Sequence, residues 1–144
     1  ILDSHNNNWT LALSEYDKSQ RPNANAIADM AIENWYEMRD KVGDAKFLLR
    51  KKVEAWLEKQ FPTVFKSRYG MVTYTRIPYA LTYEAGKIQD RILSKLCEKI
   101  ESPEQINIGD AKNSVESELS HFVKKHSLNL RTDSLVSETR LRFS

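Results

Sequence analysis

Apolar positions recur along most of this chain with a helical rather than an alternating period. Trp9, Ala12, Leu13 and Tyr16 follow the polar cluster Asn6-Asn7-Asn8, which can cap a helix start, and predict a first helix over roughly 7–20. Pro22 marks its end, because the residue before a proline avoids the helical region. A second helix is expected from Asn23 or Asn25 to Val42, with the rest of the chain organised around it. Its stripe is Ile27, Ala31, Asn34 and Met38, and Gly43 provides the stop. Asp44 can cap a third helix over 45–61 with the face Leu49, Val53, Trp56 and Leu57.

After Pro62 the stripe is lost. Met71, Thr73 and Thr75 alternate with Val72, Tyr74 and Arg76, and this β-branched and aromatic content predicts an extended segment or short strand near 69–77. A lone strand cannot satisfy its backbone, so this piece needs a partner. Helical spacing returns from Thr82, where Ile88, Ile92, Leu96 and Ile100 recur every four residues beside Leu93 and Cys97. Ser102-Pro103-Glu104-Gln105 predicts a short capped turn, and Asp110 opens a last helix to about His126 on the face Ala111, Val115, Leu119 and Phe122. From Leu128 no period is clear. The expectation is a mainly α fold, with residues 1–126 forming one helical domain and 127–144 a tail.

Composition narrows the function more than the fold. A chain of 144 residues suits one domain with a real core. Its net charge of +2 comes from interleaved acids and bases, which implies no nucleic-acid field. Cys97 is the single cysteine and fits a reducing compartment; it reads as a small core residue, since nothing near it would lower its pKa. No apolar run approaches a membrane span. The opening at Ile1 instead of Met is taken as the mark of a piece of a longer polypeptide.

No self-contained chemistry is visible. His121 and His126 are five apart, on different helix faces, so no zinc pair is expected. The chain has no Gly-rich phosphate loop and no nucleophile elbow, and no catalytic or metal-binding residue is assigned. Glu33 and Glu37, one turn apart, face either solvent or a site. The basic run Arg50-Lys51-Lys52 reads as a solvated face. Asn34 stands out, because an amide on a core-facing stripe must find partners or cost about 1–3 kcal/mol. Two readings are open for it: a buried amide bonded to nearby backbone, or a stripe rotated so that Trp35 faces inward.

Two stretches, RPNANAIADMAIENWYEMRDKV (21–42) and FPTVFKSRYGMVTYTRIPY (61–79), together resemble the C-terminal region of the kynurenine 3-monooxygenases, flavin-dependent aromatic hydroxylases. The shared features are an Ala-Ile-Ala-Asp helix, Asn34-x-x-Glu37-Met38-Arg39, and Tyr69-x-Met71-Val72-Thr73 followed by Pro78-Tyr79, with Tyr74 where the family has Phe. The similarity covers most of the chain except the tail. It implies that Asn34 and Tyr69 contact the amino-acid end of L-kynurenine, with Glu37 and Met38 near the pocket. Without it, Tyr69 reads as a core tyrosine pinning the extended segment to a helix. The resemblance also implies an upstream FAD domain that uses NADPH and is absent here, so this piece alone is expected to bind no cofactor and to be inactive. It further implies a soluble, cytoplasmic, bacterial-type form without a membrane anchor, and a bared apolar patch through which the piece self-associates. The alternatives are a stand-alone helical interaction module and the C-terminal region of a related flavin hydroxylase with another aromatic substrate.

Overall fold

Helix α4 (Tyr79–Cys97) is the element against which the others pack. In the computed structural model, which describes residues 1–131, it meets α1 (Trp9–Tyr36), α2 (Ala45–Gln60), α3 (Arg68–Tyr74) and α5 (Ile108–Ser114). A π-type turn over Val115–Ser120 carries α5 on into α6 (His121–Lys125). The mainly α expectation holds, and no strand occurs among the described residues.

The larger core lies between α2, α4 and α5. Val53 and Leu57 of α2 meet Ile92 and Leu93 of α4, and Phe65, Ile106, Ala111, Val115 and Leu119 close around them. Each of the Val, Leu, Ile and Phe side chains taken from water contributes about 1.5–3 kcal/mol. A smaller cluster joins Met71, Ile77, Ala85 and Leu130, with Leu128 against it. Leu128 and Leu130 fall in the stretch expected to be a tail, yet they pack on the body; the rest of that stretch, 132–144, lies outside the described residues.

Three local expectations are corrected. First, 7–20 and 23–42 are not two helices. One 28-residue helix runs through Pro22, capped by Asn8, whose side chain accepts from Leu11 N at 3.2 Å. Residues 13–22 are all exposed, so the carbonyl that Pro22 cannot bond sits where water can satisfy it, which reduces the penalty that normally breaks a helix. Second, the segment near 69–77 is not extended over 68–74. Ser67 caps it by accepting from Gly70 N at 3.2 Å, and Thr75 closes its end by donating to the Met71 carbonyl at 2.6 Å. With both ends satisfied and Gly70 and Met71 buried, α3 forms despite its β-branched content; the chain leaves the helical region only at Thr75. Third, the inward stripe of α1 is not the one expected. Ala26 and Met30 are buried, with Ile27, Glu33 and Glu37 half-buried, whereas Ala31, Asn34, Trp35 and Met38 are exposed. Neither reading of Asn34 holds, because the stripe rotates toward Glu33, a carboxylate that finds partners.

The remaining elements follow their local signals. Asp44 caps α2 by accepting from Lys46 N at 2.8 Å. Ser102 and Gln105 form a capping box around a single 3-10 turn, and Asn107 caps α5 through Gly109 N and Asp110 N. Cys97 is half-buried at the edge of the larger core, where burial pushes its thiol pKa up, away from nucleophile behaviour.

Candidate functional site

A cleft of about 460 Å³ opens where α1, α2, α3 and α4 converge. From α1 it receives Ile27, Met30, Ala31 and Asn34, from the π-type turn that follows (Glu37–Lys41) Glu37, and from α2 Lys51 and Glu54. Ser67, Arg68, Tyr69 and Val72 supply the α3 wall; Gly86, Gln89 and Asp90 of α4 complete the lining. Three of the four residues that the resemblance singles out therefore border one cleft. Met38 does not line it; it lies outside, 67% exposed, with its sulfur 3.7 Å from the Asn34 amide nitrogen.

The polar groups of this cleft divide into a satisfied set and an open set. Arg68 is the centre of the first. Its guanidinium donates to Glu33 of α1 and, at 2.8 Å, to Asp90 of α4. Asp90 also accepts from Arg50 at 2.9 Å, and Glu33 accepts from the Tyr83 hydroxyl at 3.0 Å. That bond to Glu33 holds the Tyr83 phenol above its ordinary pKa. Gln89, 2% exposed, donates to the Lys66 carbonyl at 2.7 Å and fastens the approach to α3 onto α4. Lys51 stands 3.3 Å from Glu54 and 3.8 Å from Glu37, so part of the expected solvated basic run turns to the cleft mouth.

The open set is Asn34 and Tyr69. Apart from its contact with the Met38 sulfur, the Asn34 side chain makes no hydrogen bond among the described residues, and the Tyr69 hydroxyl makes none. Tyr69 is 72% exposed, and its ring meets Tyr74 edge-on at 6.5 Å. An amide and a phenol with unused donors, beside the apolar surface of Ile27 and Val72, can receive a carboxylate attached to an aromatic body.

The pairing of Glu33, Arg68 and Asp90 was not foreseen from sequence. A signal existed: Gly86 interrupts a helical pattern without a turn, which marks a close approach. A β-carbon there would stand 2.6 Å from Arg68 Nε.

Sequence comparison gives this geometry a context. The chain is 40% identical over 125 residues, 87% of its length, to a kynurenine 3-monooxygenase of Myxococcus xanthus. It is 42% identical over 91 residues to the enzyme of that name from Dictyostelium discoideum, and 36% identical over 104 residues to that of Flavobacterium psychrophilum. The chain is a homologue of the kynurenine 3-monooxygenases. It spans 27%, 20% and 23% of the lengths of these three curated relatives. No family model matches it.

The kynurenine 3-monooxygenase resemblance implies a flavin dinucleotide, and the residues present do not fit one. Pyrophosphate needs clustered backbone donors. Gly43, Gly70, Gly86 and Gly109 stand far apart, none with positive φ, and the cleft presents the carboxylates Glu37, Glu54 and Asp90. Among the described residues no group of three His, Cys, Asp or Glu side chains could hold a metal ion, and no helix is long and apolar enough to cross a membrane.

Proposed function

We propose that this chain is the C-terminal helical part of a kynurenine 3-monooxygenase, and that its cleft receives the amino-acid end of L-kynurenine. The observation that carries the reading is the meeting of Asn34 and Tyr69, from separate helices, at one cleft with their hydrogen-bonding capacity unspent. In this reading the Asn34 amide and the Tyr69 hydroxyl donate to the substrate carboxylate. Hydrogen bonds to a charged group contribute about 1.5–3 kcal/mol each. Glu37 accepts from the ammonium, drawing on a carboxylate already balanced by Lys51. Met38 steadies the Asn34 amide from outside the cleft. Ile27 and Val72 offer apolar surface to the rest of the ligand and help exclude water.

The whole enzyme hydroxylates L-kynurenine to 3-hydroxykynurenine with FAD, NADPH and dioxygen. FAD and NADPH belong to the portion of the enzyme outside this stretch, so the 144-residue chain alone binds neither and is inactive. The exposed aromatics Trp35, Tyr36, Tyr69 and Tyr74 are a face that the flavin domain covers, and without it the chain associates with itself.

The test is turnover by the complete polypeptide that carries this chain, on a panel of L-kynurenine, tryptophan, phenylalanine and anthranilate. NADPH-dependent formation of 3-hydroxykynurenine, with the other compounds idle, is expected. Preference for another aromatic would assign the chain to a related hydroxylase. A second reading, a stand-alone helical interaction module, draws on the exposed Trp9, Leu13 and Tyr16 of α1. A gene with no dinucleotide-binding motif ahead of Ile1 would favour it.

A further inference from the structure

We propose that the Glu33–Arg68 ion pair is the positioning device of the cleft, setting the distance and angle between Asn34 and Tyr69. The inference depends on the reading of those two residues as substrate contacts. Its basis is a juxtaposition: each partner of the pair is the sequence neighbour of one contact residue, Glu33 of Asn34 and Arg68 of Tyr69. The ion pair ties α1 to α3 at the points from which the two contacts project.

Helix α3 needs such a device. It has seven residues, too few to hold a helix or an orientation by itself. Arg68 sits in its first turn with a side chain only 22% exposed, while the next residue, Tyr69, reaches outward. The planar guanidinium spans two rails at once: one nitrogen meets Glu33 on α1, another meets Asp90 on α4 at 2.8 Å. Both rails are themselves braced. Tyr83 donates to the other oxygen of Glu33, and Arg50 holds the other oxygen of Asp90. Gly86 supplies the space, since a β-carbon would occupy the place of the guanidinium. A lysine, with one point charge, cannot reproduce the fork.

The fold does not depend on this pair alone. Met71 is buried, Ser67 and Thr75 close the ends of α3, and Gln89 holds its approach, so removal of the pair leaves α3 formed but loosely aimed. Arg68 and Glu33 are thus positioning residues, acting through Tyr69 and Asn34.

The experiment is steady-state kinetics with L-kynurenine on the complete polypeptide, comparing Arg68→Gln, Arg68→Lys and Glu33→Gln with Asn34→Ala and Tyr69→Phe. Arg68→Gln and Arg68→Lys are expected to raise KM about tenfold while kcat changes less than about threefold, the signature of lost binding alignment. Glu33→Gln, which keeps the Asp90 anchor and a neutral hydrogen bond, is expected to give a smaller rise in KM. On an Asn34→Ala/Tyr69→Phe background, Arg68→Gln is expected to add almost nothing, because residues acting through one another are not additive. An unchanged KM in Arg68→Gln and Glu33→Gln, with Asn34→Ala and Tyr69→Phe impaired, overturns the positioning role and leaves the contact assignment standing. A fully additive effect of Arg68→Gln on the doubly substituted background also overturns it. Unchanged KM in Asn34→Ala and Tyr69→Phe themselves overturns both. Should Arg68→Gln fail to fold, Glu33→Gln decides alone.

Discussion

At Gly86 the missing side chain matters because of what fills its place. The Arg68 guanidinium occupies the position a β-carbon would crowd at 2.6 Å, and its bonds to Glu33 and Asp90 hold it there. Gly86→Ala should therefore have opposite effects in two backgrounds. In the native chain it displaces Arg68 and lowers stability. In an Arg68→Ala chain the same change should raise stability by about 1 kcal/mol, the ordinary helix-propensity gain of Ala over Gly. Urea-unfolding midpoints of the four proteins check this, and the same sign in both backgrounds contradicts it. Single residues were only partly legible in the sequence. Asn34 stands out in the sequence as an amide on an apolar stripe, but its exposure is not readable there: the stripe turns toward Glu33, whose partners Arg68 and Tyr83 come from far along the chain.

Among the elements, α2 was legible because its periodic apolar positions and its cap Asp44 agreed, α4 from periodicity alone, and α5 from its apolar face although Asn107, not the expected Asp110, opens it. Two elements were not. Pro22 reads as a terminator because a proline costs a helix interior about 3 kcal/mol; the exposure of 13–22, which lets water satisfy the freed carbonyl, is not readable from the residues. Helix α3 reads as a strand from its residues, but side-chain caps and the burial of Gly70 and Met71 decide its form. The docking of the C-terminal helices carries a prediction of its own. Glu118 bonds Lys95 at 2.6 Å and Arg91 at 3.4 Å, fastening the turn after α5 to α4. These cations, Lys95 first, hold its carboxyl below the ordinary value of 4.5. A carboxyl with a lowered folded-state pKa stabilises fully above its unfolded value, and that contribution disappears as pH falls through the lowered value. On acidification below about pH 4.5 the native chain should therefore lose more Tm than Glu118→Gln, and the two curves should converge at low pH. Parallel Tm profiles would contradict the ion pairs.

The molecule as a whole presents a body built on α4 and large apolar and aromatic side chains that the body does not cover. Trp35, Tyr36, Met38, Tyr69 and Tyr74 are all exposed, and of these Tyr69 lines the cleft. A surface of this kind is usually an interface. The isolated chain should show an apparent mass that rises with concentration in light scattering, and a constant monomer mass would contradict this. The cleft itself was legible only in part. The resemblance names Asn34, Glu37, Met38 and Tyr69, of which Met38 does not line the cleft, and no local pattern could announce that helices far apart in sequence would converge there, or that Arg68 and Asp90 would brace them. The measurement that bears most directly on the cleft is the KM for L-kynurenine of the complete polypeptide with Asn34→Ala and with Tyr69→Phe. A rise of about tenfold or more in each, equivalent to the loss of a hydrogen bond to a charged group, is expected. Kinetics indistinguishable from the native protein in both variants would contradict the assignment.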